Sequence, residues 1–417
     1  AQAIMSADSV SDTVADPVAD AAAAGRTPLR LAVVAQFPVH YHLPLYRAMA
    51  ADPDIDVNVL FMQRGWSASG FDPEVGTVVE WGVEKFTGYP HRIFPNISPT
   101  RSGSGFWKFI NPGLIWHVLT GPHDAVYIHG HNHFSHVACA IAAKLGGKRL
   151  IIRTISNNLG ARPRWVRALR QMLYRPLYML ANVLLYIGQD NRDYFRNFGV
   201  PDRKLVHAPH VVDDAFFAAE AARMAGREAE LKAAFGIAGD QKIVLYSAKF
   251  MPKKQPLMLV AAFAEAGLGD DWTLLMVGEG EQRAAAEVLA GRHPDAQIIF
   301  AGWLDQSRIA EGYAIADMLV LPSAYQETWG LIINEAMNFG CPVIVSDRVS
   351  CGCDLVADTC GLIFPYDDRP ALVAALRKLA GDDAMRAGFR AGAKARIAGW
   401  NVSGYIAGLR RALRLSD

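Results

Sequence analysis

The stretch Glu327-Thr328-Trp329-Gly330-Leu331-Ile332-Ile333-Asn334-Glu335-Ala336-Met337 stands between two short apolar runs, 318–321 and 342–346. Runs of that length read as buried parallel strands, and the stretch between them as the helix that joins them. On a helix, eight residues make about two turns and about 12 Å. Glu327 and Glu335 then fall roughly on one face, the first at the helix entrance and the second within it. The backbone of Thr328, Trp329, Gly330 and Leu331 offers free N–H groups there, where the helix dipole favours an anion. Such a ruler suits an elongated ligand with hydroxyls at both ends and negative charge between. The plain alternative is a pair of solvated helix glutamates.

Working outward, the same alternation recurs along the chain. Strands are expected at 29–35, 57–62, 125–129, 149–153, 183–187 and 204–207, with helices at 42–51, 133–144, 164–181 and 191–198. Pro209-His210-Val211-Val212-Asp213-Asp214 breaks the pattern as an extended, polar hinge. A charged, alanine-rich helix to about residue 235 follows. Alternation then restarts with strands at 242–247, 272–277, 297–300, 318–321, 342–346 and 361–363. This is the signature of doubly wound α/β sheets. The fold class is therefore α/β, with two facing Rossmann-like domains and an interdomain cleft as the expected site. The expected boundaries are a mobile tail at 1–28, a first domain at 29–212, a second at 213–400 and a closing helix within 401–417.

Composition narrows the function classes. The chain has 417 residues, enough for two domains with full cores, and 51% hydrophobic with 20% charged residues is ordinary for a globular enzyme. A formal charge of +1 supplies no basic field for general nucleic-acid binding. Cys139, Cys341, Cys351, Cys353 and Cys360 are odd in number and unevenly spaced, so reduced thiols are expected, with no zinc-like spacing. No apolar run reaches transmembrane length, and residues 1–28 lack the basic start and apolar core of a signal peptide. The expectation is a cytoplasmic protein.

Four features follow strands of the second half in order. Lys249 and Lys254 lie in Tyr246-Ser247-Ala248-Lys249-Phe250-Met251-Pro252-Lys253-Lys254, placed to meet phosphate oxygens as the chain turns into a helix. Met276-Val277-Gly278-Glu279-Gly280 sets Gly278 directly after a strand, where a ligand can approach the backbone. Phe300-Ala301-Gly302-Trp303-Leu304 ends a strand with a turn able to edge a planar base. The fourth feature is the Glu327–Glu335 segment.

This ordered set resembles the retaining glycosyltransferases of the large GT-B family that carries E-x7-E, the family 4-like glycosyl transferases of group 1. Their pattern is Gly-Arg-x4-Lys, then Val-Gly-x-Gly, then Phe-x-Gly, then Pro-Ser-x3-Glu-x-Phe-Gly-x4-Glu-Ala, and the match covers nearly all of 240–365. By position, Lys254 resembles the diphosphate lysine, and Lys249 stands where an arginine is usual. The resemblance implies that Glu327 lies near the donor sugar hydroxyls and Glu335 near the ribose. It places the backbone of Trp329, Gly330 and Leu331 at sugar and phosphate, and Trp303 and Leu304 at the base edge. It further implies a metal-independent transfer from a nucleotide-diphosphate sugar, with no cofactor, to a glycan or lipid-linked acceptor, as in bacterial surface or exopolysaccharide assembly.

In the first half, Asp124-Ala125-Val126-Tyr127-Ile128-His129-Gly130-His131-Asn132-His133-Phe134-Ser135-His136 ends a strand and starts a helix. A metal site would need the histidines to converge, and that alignment breaks where the strand ends. The family resemblance points to His129 facing the donor sugar, with His131 two residues on as the alternative. His40, Tyr41 and His42 either touch the acceptor or cap the helix that follows. Asp52, Asp54 and Asp56 look like an acidic metal motif but read as a surface turn. Residues 161–175, with five arginines beside Trp165, Leu169, Met172 and Leu173, read as an interfacial helix drawn to anionic lipid on the inner face of the membrane. Phe106, Trp107, Lys108, Phe109 and Trp116 form a second aromatic–basic stretch. The last helix, 402–415, is expected to cross back to the first domain. Rival readings are a sugar-nucleotide epimerase or phosphorylase on the same fold, or a non-catalytic sugar-nucleotide-binding protein.

Overall fold

A strand buried on both faces belongs in the middle of a sheet, with helices above and below it. The computed structural model describes residues 27–65, 69–72, 77–80, 84–100, 105–159, 163–325 and 327–415. Nearly all of the expected N-terminal tail, together with Ala161 and Arg162 of the basic stretch, lies outside the described residues. Leu29–Ala35 (β1) takes the central position, with Leu31, Val33 and Ala35 in one core and Ala32 and Val34 in the other.

Chain order continues with Ile55–Phe61 (β2), the hairpin Ser69–Asp72 (β3) and Thr77–Glu80 (β4), His91–Ile93 (β5) and Ala125–His129 (β6). Arg149–Arg153 (β7), Val183–Tyr186 (β8) and Leu205–His207 (β9) complete the first half. Its helices are Leu43–Ala50 (α1), Pro112–Thr120 (α2), Phe134–Leu145 (α3), Arg164–Leu180 (α4) and Gln189–Asn197 (α5). The first sheet runs β5-β2-β1-β6-β7-β8-β9, parallel throughout.

The second half opens with Asp214–Met224 (α6) and Glu228–Ala234 (α7). One helix was expected here, but the chain breaks around Gly226, whose φ of 78° is left-handed. There follow Lys242–Ser247 (β10), Pro256–Ala266 (α8), Trp272–Val277 (β11), Arg283–Ala290 (α9), Gln297–Gly302 (β12) and Gln306–Ile315 (α10). Met318–Leu321 (β13), Leu331–Asn338 (α11), Val343–Ser346 (β14) and Gly361–Phe364 (β15) come next. Arg369–Ala380 (α12), Asp383–Ile397 (α13) and Val402–Leu413 (α14) end the chain. The second sheet is parallel in the order β12-β11-β10-β13-β14-β15.

Both orders step outward from a first strand and then return to its other side. The reversals fall between β1 and β6 and between β10 and β13. Crevices open at the carboxyl ends of strands at such switch points.

The last helix, α14, packs on α1, β8 and β9. Its Tyr405, Leu409, Ala412 and Leu413 share the core of β1, and the Tyr405 and Tyr127 hydroxyls stand 2.8 Å apart. Arg410 reaches Asp52 and Asp54, each at 2.8 Å. The expected surface turn is thus corrected: Asp52 is buried, and the two carboxylates clasp α14 through a forked guanidinium. Removing one partner strands the others out of water. Arg410→Ala is expected to lower unfolding free energy by about 3 kcal/mol in urea titrations. Arg410→Lys should recover only part of it, because an ammonium cannot fork between two carboxylates.

Candidate active site

Lys254 and Glu327 meet at the switch point of the second sheet. After β10 the chain turns through Pro252–Lys254, and Gln255 at φ 50° redirects it into α8, whose first residue is Pro256. That turn delivers the Lys254 ammonium to the Glu327 carboxylate as an ion pair. The Ser323 hydroxyl donates to the same Oε2 at 3.0 Å. The side chains are only 18% and 13% exposed, so each charge depends on the other for its solvation. Lys249 lies in the same crossover, half-buried.

The two glutamates are not two turns of one helix, as the spacing suggested. Helix α11 begins only at Leu331. Gly330 before it is left-handed at φ 102°, and a Cβ there would come within 3.0 Å of Val349 Cγ1. Glu327 therefore lies ahead of the helix in an extended bridge to Val349, and Asn157 Nδ2 donates to its carbonyl at 3.1 Å. Thr328 is half-buried beside it. Trp329 turns inward: its indole N–H donates to Asn334 Oδ1 at 2.8 Å, and its ring packs on Trp400 at 5.2 Å and His210 at 6.1 Å. Its side chain thus belongs to a hydrophobic core, leaving only backbone for a ligand.

Glu335 sits on the second turn of α11 and accepts from the Tyr313 hydroxyl at 2.7 Å. Burial raises its pKa to about 7, and the Tyr313 hydrogen bond pulls it back only in part. It lines a small pocket with His40, Tyr41 and Arg47 of the first domain. Gly278, at φ 131°, donates its N–H to Gly302 O at 2.8 Å, and a Cβ there would lie 2.0 Å from Ala248 O. Close packing of the crossovers already demands that glycine. Trp303 is half-buried after β12, while the Leu304 side chain is in the core and presents no edge.

The other wall lies at the switch point of the first sheet. His129 ends β6 with its ring 4.3 Å from Tyr127 and 4.6 Å from His42, and its Nε2 has no hydrogen-bond partner. Burial first, then His42 and Arg153, holds its pKa well below the ordinary range, so the imidazole is neutral at pH 7. It lines a cavity of about 220 Å³ with Gln36, His42, His131 and Arg153. His131 also reaches this cavity, but its ring is wedged against Tyr174 at 4.7 Å and Tyr178 at 5.7 Å of α4. Burial, then Arg170, pushes its pKa down to about 3. The four histidines do not converge: His133 packs on Phe109 and stacks on His136. Among the described residues no three His, Cys, Asp or Glu side chains are placed to hold one metal ion.

Ser156 lines this cavity and the next residue, Asn157, holds Glu327, so one loop connects the two walls. Sequence reasoning missed Arg153, Ser323, Tyr313 and Asn157. Arg153 carried a readable signal, a charge at the carboxyl end of an otherwise apolar strand. It is 2% exposed, lies over the Tyr405 ring and leaves Nε and Nη1 without a hydrogen-bond partner. Outside the cleft, α4 exposes Trp165 at 70%, Met172 at 67% and Leu173 at 58% along one face.

Residues 227–396 match the family model described as "Glycosyl transferases group 1". The chain is 27% identical over 208 residues to the alpha-D-kanosaminyltransferase of Streptomyces kanamyceticus, covering 49% of this chain and 53% of that protein. It is 30% identical over 167 residues to the phosphatidyl-myo-inositol mannosyltransferase of Mycolicibacterium smegmatis, covering 39% and 42%. The chain thus spans about half or less of the length of these curated relatives. Among solved structures, Anabaena HepE in complex with UDP superposes with a TM-score of 0.70 at 15% identity, covering 93% of this chain and all of that one. Sucrose-phosphate synthase from Thermosynechococcus elongatus gives 0.63 at 18%, covering 93% and 98%. These likenesses show the fold, GT-B, as the motif order had implied.

Proposed function

Because residues 227–396 match the model of the glycosyl transferases of group 1, we propose that this chain moves a sugar from a nucleotide-diphosphate sugar to a glycan or lipid-linked acceptor. The anomeric configuration is retained. The observation that carries the reading is the Lys254–Glu327 ion pair at the switch point, with Glu335 on the helix beyond it. The two charges satisfy each other. An arriving diphosphate takes over the ammonium, and the sugar hydroxyls take over the freed carboxylate.

As the bond from sugar to diphosphate breaks, charge grows on the leaving oxygen. Lys254, Lys249 and the start of α11 are placed to stabilise it without a cation. Glu335 accepts from the ribose hydroxyls, and the backbone at Trp329–Leu331 approaches phosphate and sugar. Backbone at Trp303 and Leu304, with Gly278 beside it, edges the base. Across the cleft His129, kept neutral, hydrogen-bonds the donor sugar, with His131 behind it. A thermal-shift panel of nucleoside diphosphates and sugar nucleotides tests the reading. At least one is expected to raise the melting temperature by several degrees, and a panel in which none does so would overturn it.

The exposed face of α4 supports peripheral contact with an anionic membrane, on the cytoplasmic side where such lipid lies. Trp165, Leu169, Met172 and Leu173 recur at helical spacing there, with Arg164 and Arg175 on the flanks. Among the described residues no helix is long and apolar enough to cross a membrane. In vesicle flotation, binding to phosphatidylglycerol-containing vesicles should fall about tenfold in Trp165→Ala/Met172→Ala. Equal binding to neutral vesicles would argue against the electrostatic part.

A further inference from the structure

A second, larger cleft of about 740 Å³ opens beside the histidine cavity. Helix α4 brings Arg167, Arg170 and Gln171 to it, α5 brings Asn197, and the second domain brings Arg348. No carboxylate is among its described lining residues. Three guanidiniums around one opening repel each other, and each keeps donors to spare. Arg170 lies over the Tyr174 ring and spends one N–H on the Tyr194 hydroxyl at 3.0 Å. Arg348 lies over Tyr366, donates Nη1 to Leu159 O at 2.8 Å and has Asp347 at 3.5 Å, outside the cleft wall. Arg167 is exposed and has no ion pair among the described residues.

The cleft is tied to the chemistry by its own wall, since Asn157 also donates to the Glu327 carbonyl at 3.1 Å. Resting on the glycosyltransferase reading, we propose that this cleft seats an oxyanion, a phosphate or a carboxylate, carried by the acceptor. Arg167, Arg170 and Arg348 bind the anion through forked N–H groups, and the side-chain amides meet neighbouring hydroxyls. The acceptor hydroxyl then extends past Asn157 toward the sugar held at Glu327. Because the arginines come from both domains, a seated anion also holds the cleft closed.

Calorimetric titration with inorganic pyrophosphate, and separately with glucuronate, tests this on the full chain. The donor site is first saturated with a nucleoside diphosphate. Residual binding of either anion is expected, weakened about tenfold for each guanidinium removed in Arg167→Gln, Arg170→Gln and Arg348→Gln. Pyrophosphate preference identifies a phosphorylated acceptor, and glucuronate preference an acidic sugar; both support the subsite. Residual binding that is absent, or equal in wild type and all three arginine variants, would overturn it. Arg167 is exposed, so Arg167→Gln keeps the fold and the test stands even where Arg348→Gln unfolds. Failure of every nucleotide to bind, with arginine-dependent pyrophosphate binding intact, would sink the donor reading and leave the anion site standing.

Discussion

Lys254→Ala is expected to lower kcat/KM for nucleotide release from the donor by about 10²- to 10³-fold, the usual cost of deleting one group that stabilises charge on a leaving oxygen. The same substitution also disturbs the empty protein. With its partner gone, Glu327 is left unpaired in a pocket where its side chain is 13% exposed, a loss of about 3 kcal/mol. Stability and catalysis are separated by the double variant Lys254→Met/Glu327→Gln. It should unfold close to wild type, because no buried charge is left alone, and should remain as slow as Lys254→Ala. A double variant both stable and active would show that the pair is structural only.

Glu335→Gln is expected to weaken nucleoside diphosphate binding about tenfold and to flatten its pH dependence. The carboxyl of the folded protein titrates near 7, raised by burial. Ribose hydroxyls donate best to the ionised form, so wild-type affinity should climb between pH 6 and pH 8. Stability of the empty protein should run the other way. A raised folded pKa means that the contribution is fully present below the ordinary carboxylate range. It is lost as pH rises through about 7. The size is on the order of 2 kcal/mol, discounted because Glu335 keeps some solvent contact at its pocket wall. Urea titrations at pH 5 and pH 8 should therefore find Glu335→Gln relatively more stable at the higher pH. Nucleotide affinity that is flat with pH in wild type would remove the ribose role. Glu327→Gln, by contrast, should lower turnover with little change in nucleotide affinity; equal loss of binding in both variants would end that division of labour.

Much of the scaffold was legible because central parallel strands advertise themselves. Ala125–His129, Arg149–Arg153, Lys242–Ser247, Trp272–Val277 and Met318–Leu321 fall where the apolar runs placed them. The hairpin β3–β4 and the short edge strand β5 were not foreseen. His91, Arg92 and Ile93 are all exposed, so no apolar run marks them. The single helix expected after the hinge is two helices, because left-handed Gly226 interrupts the alanine-rich run. In the site, residue types and order were readable, but orientations were not. Trp329 and Leu304 were expected to meet a ligand through their backbone, and both side chains point into cores. Glu327 looked helical because its spacing to Glu335 is helical, while left-handed Gly330 stops the helix short of it.

Sequence by itself determined the two α/β halves and the lysines and glutamates that follow their strands. These depend on hydrophobic runs and turn residues within a few positions of one another, which is local information. Only the tertiary structure decided which groups meet. Lys254 and Glu327 are 73 positions apart, Asn157 and Glu327 join across the two domains, and Arg410 closes on Asp52 from the far end of the chain. Such contacts follow from how the sheets stack and how the hinge turns, and a burial pattern along one strand carries no record of what faces it.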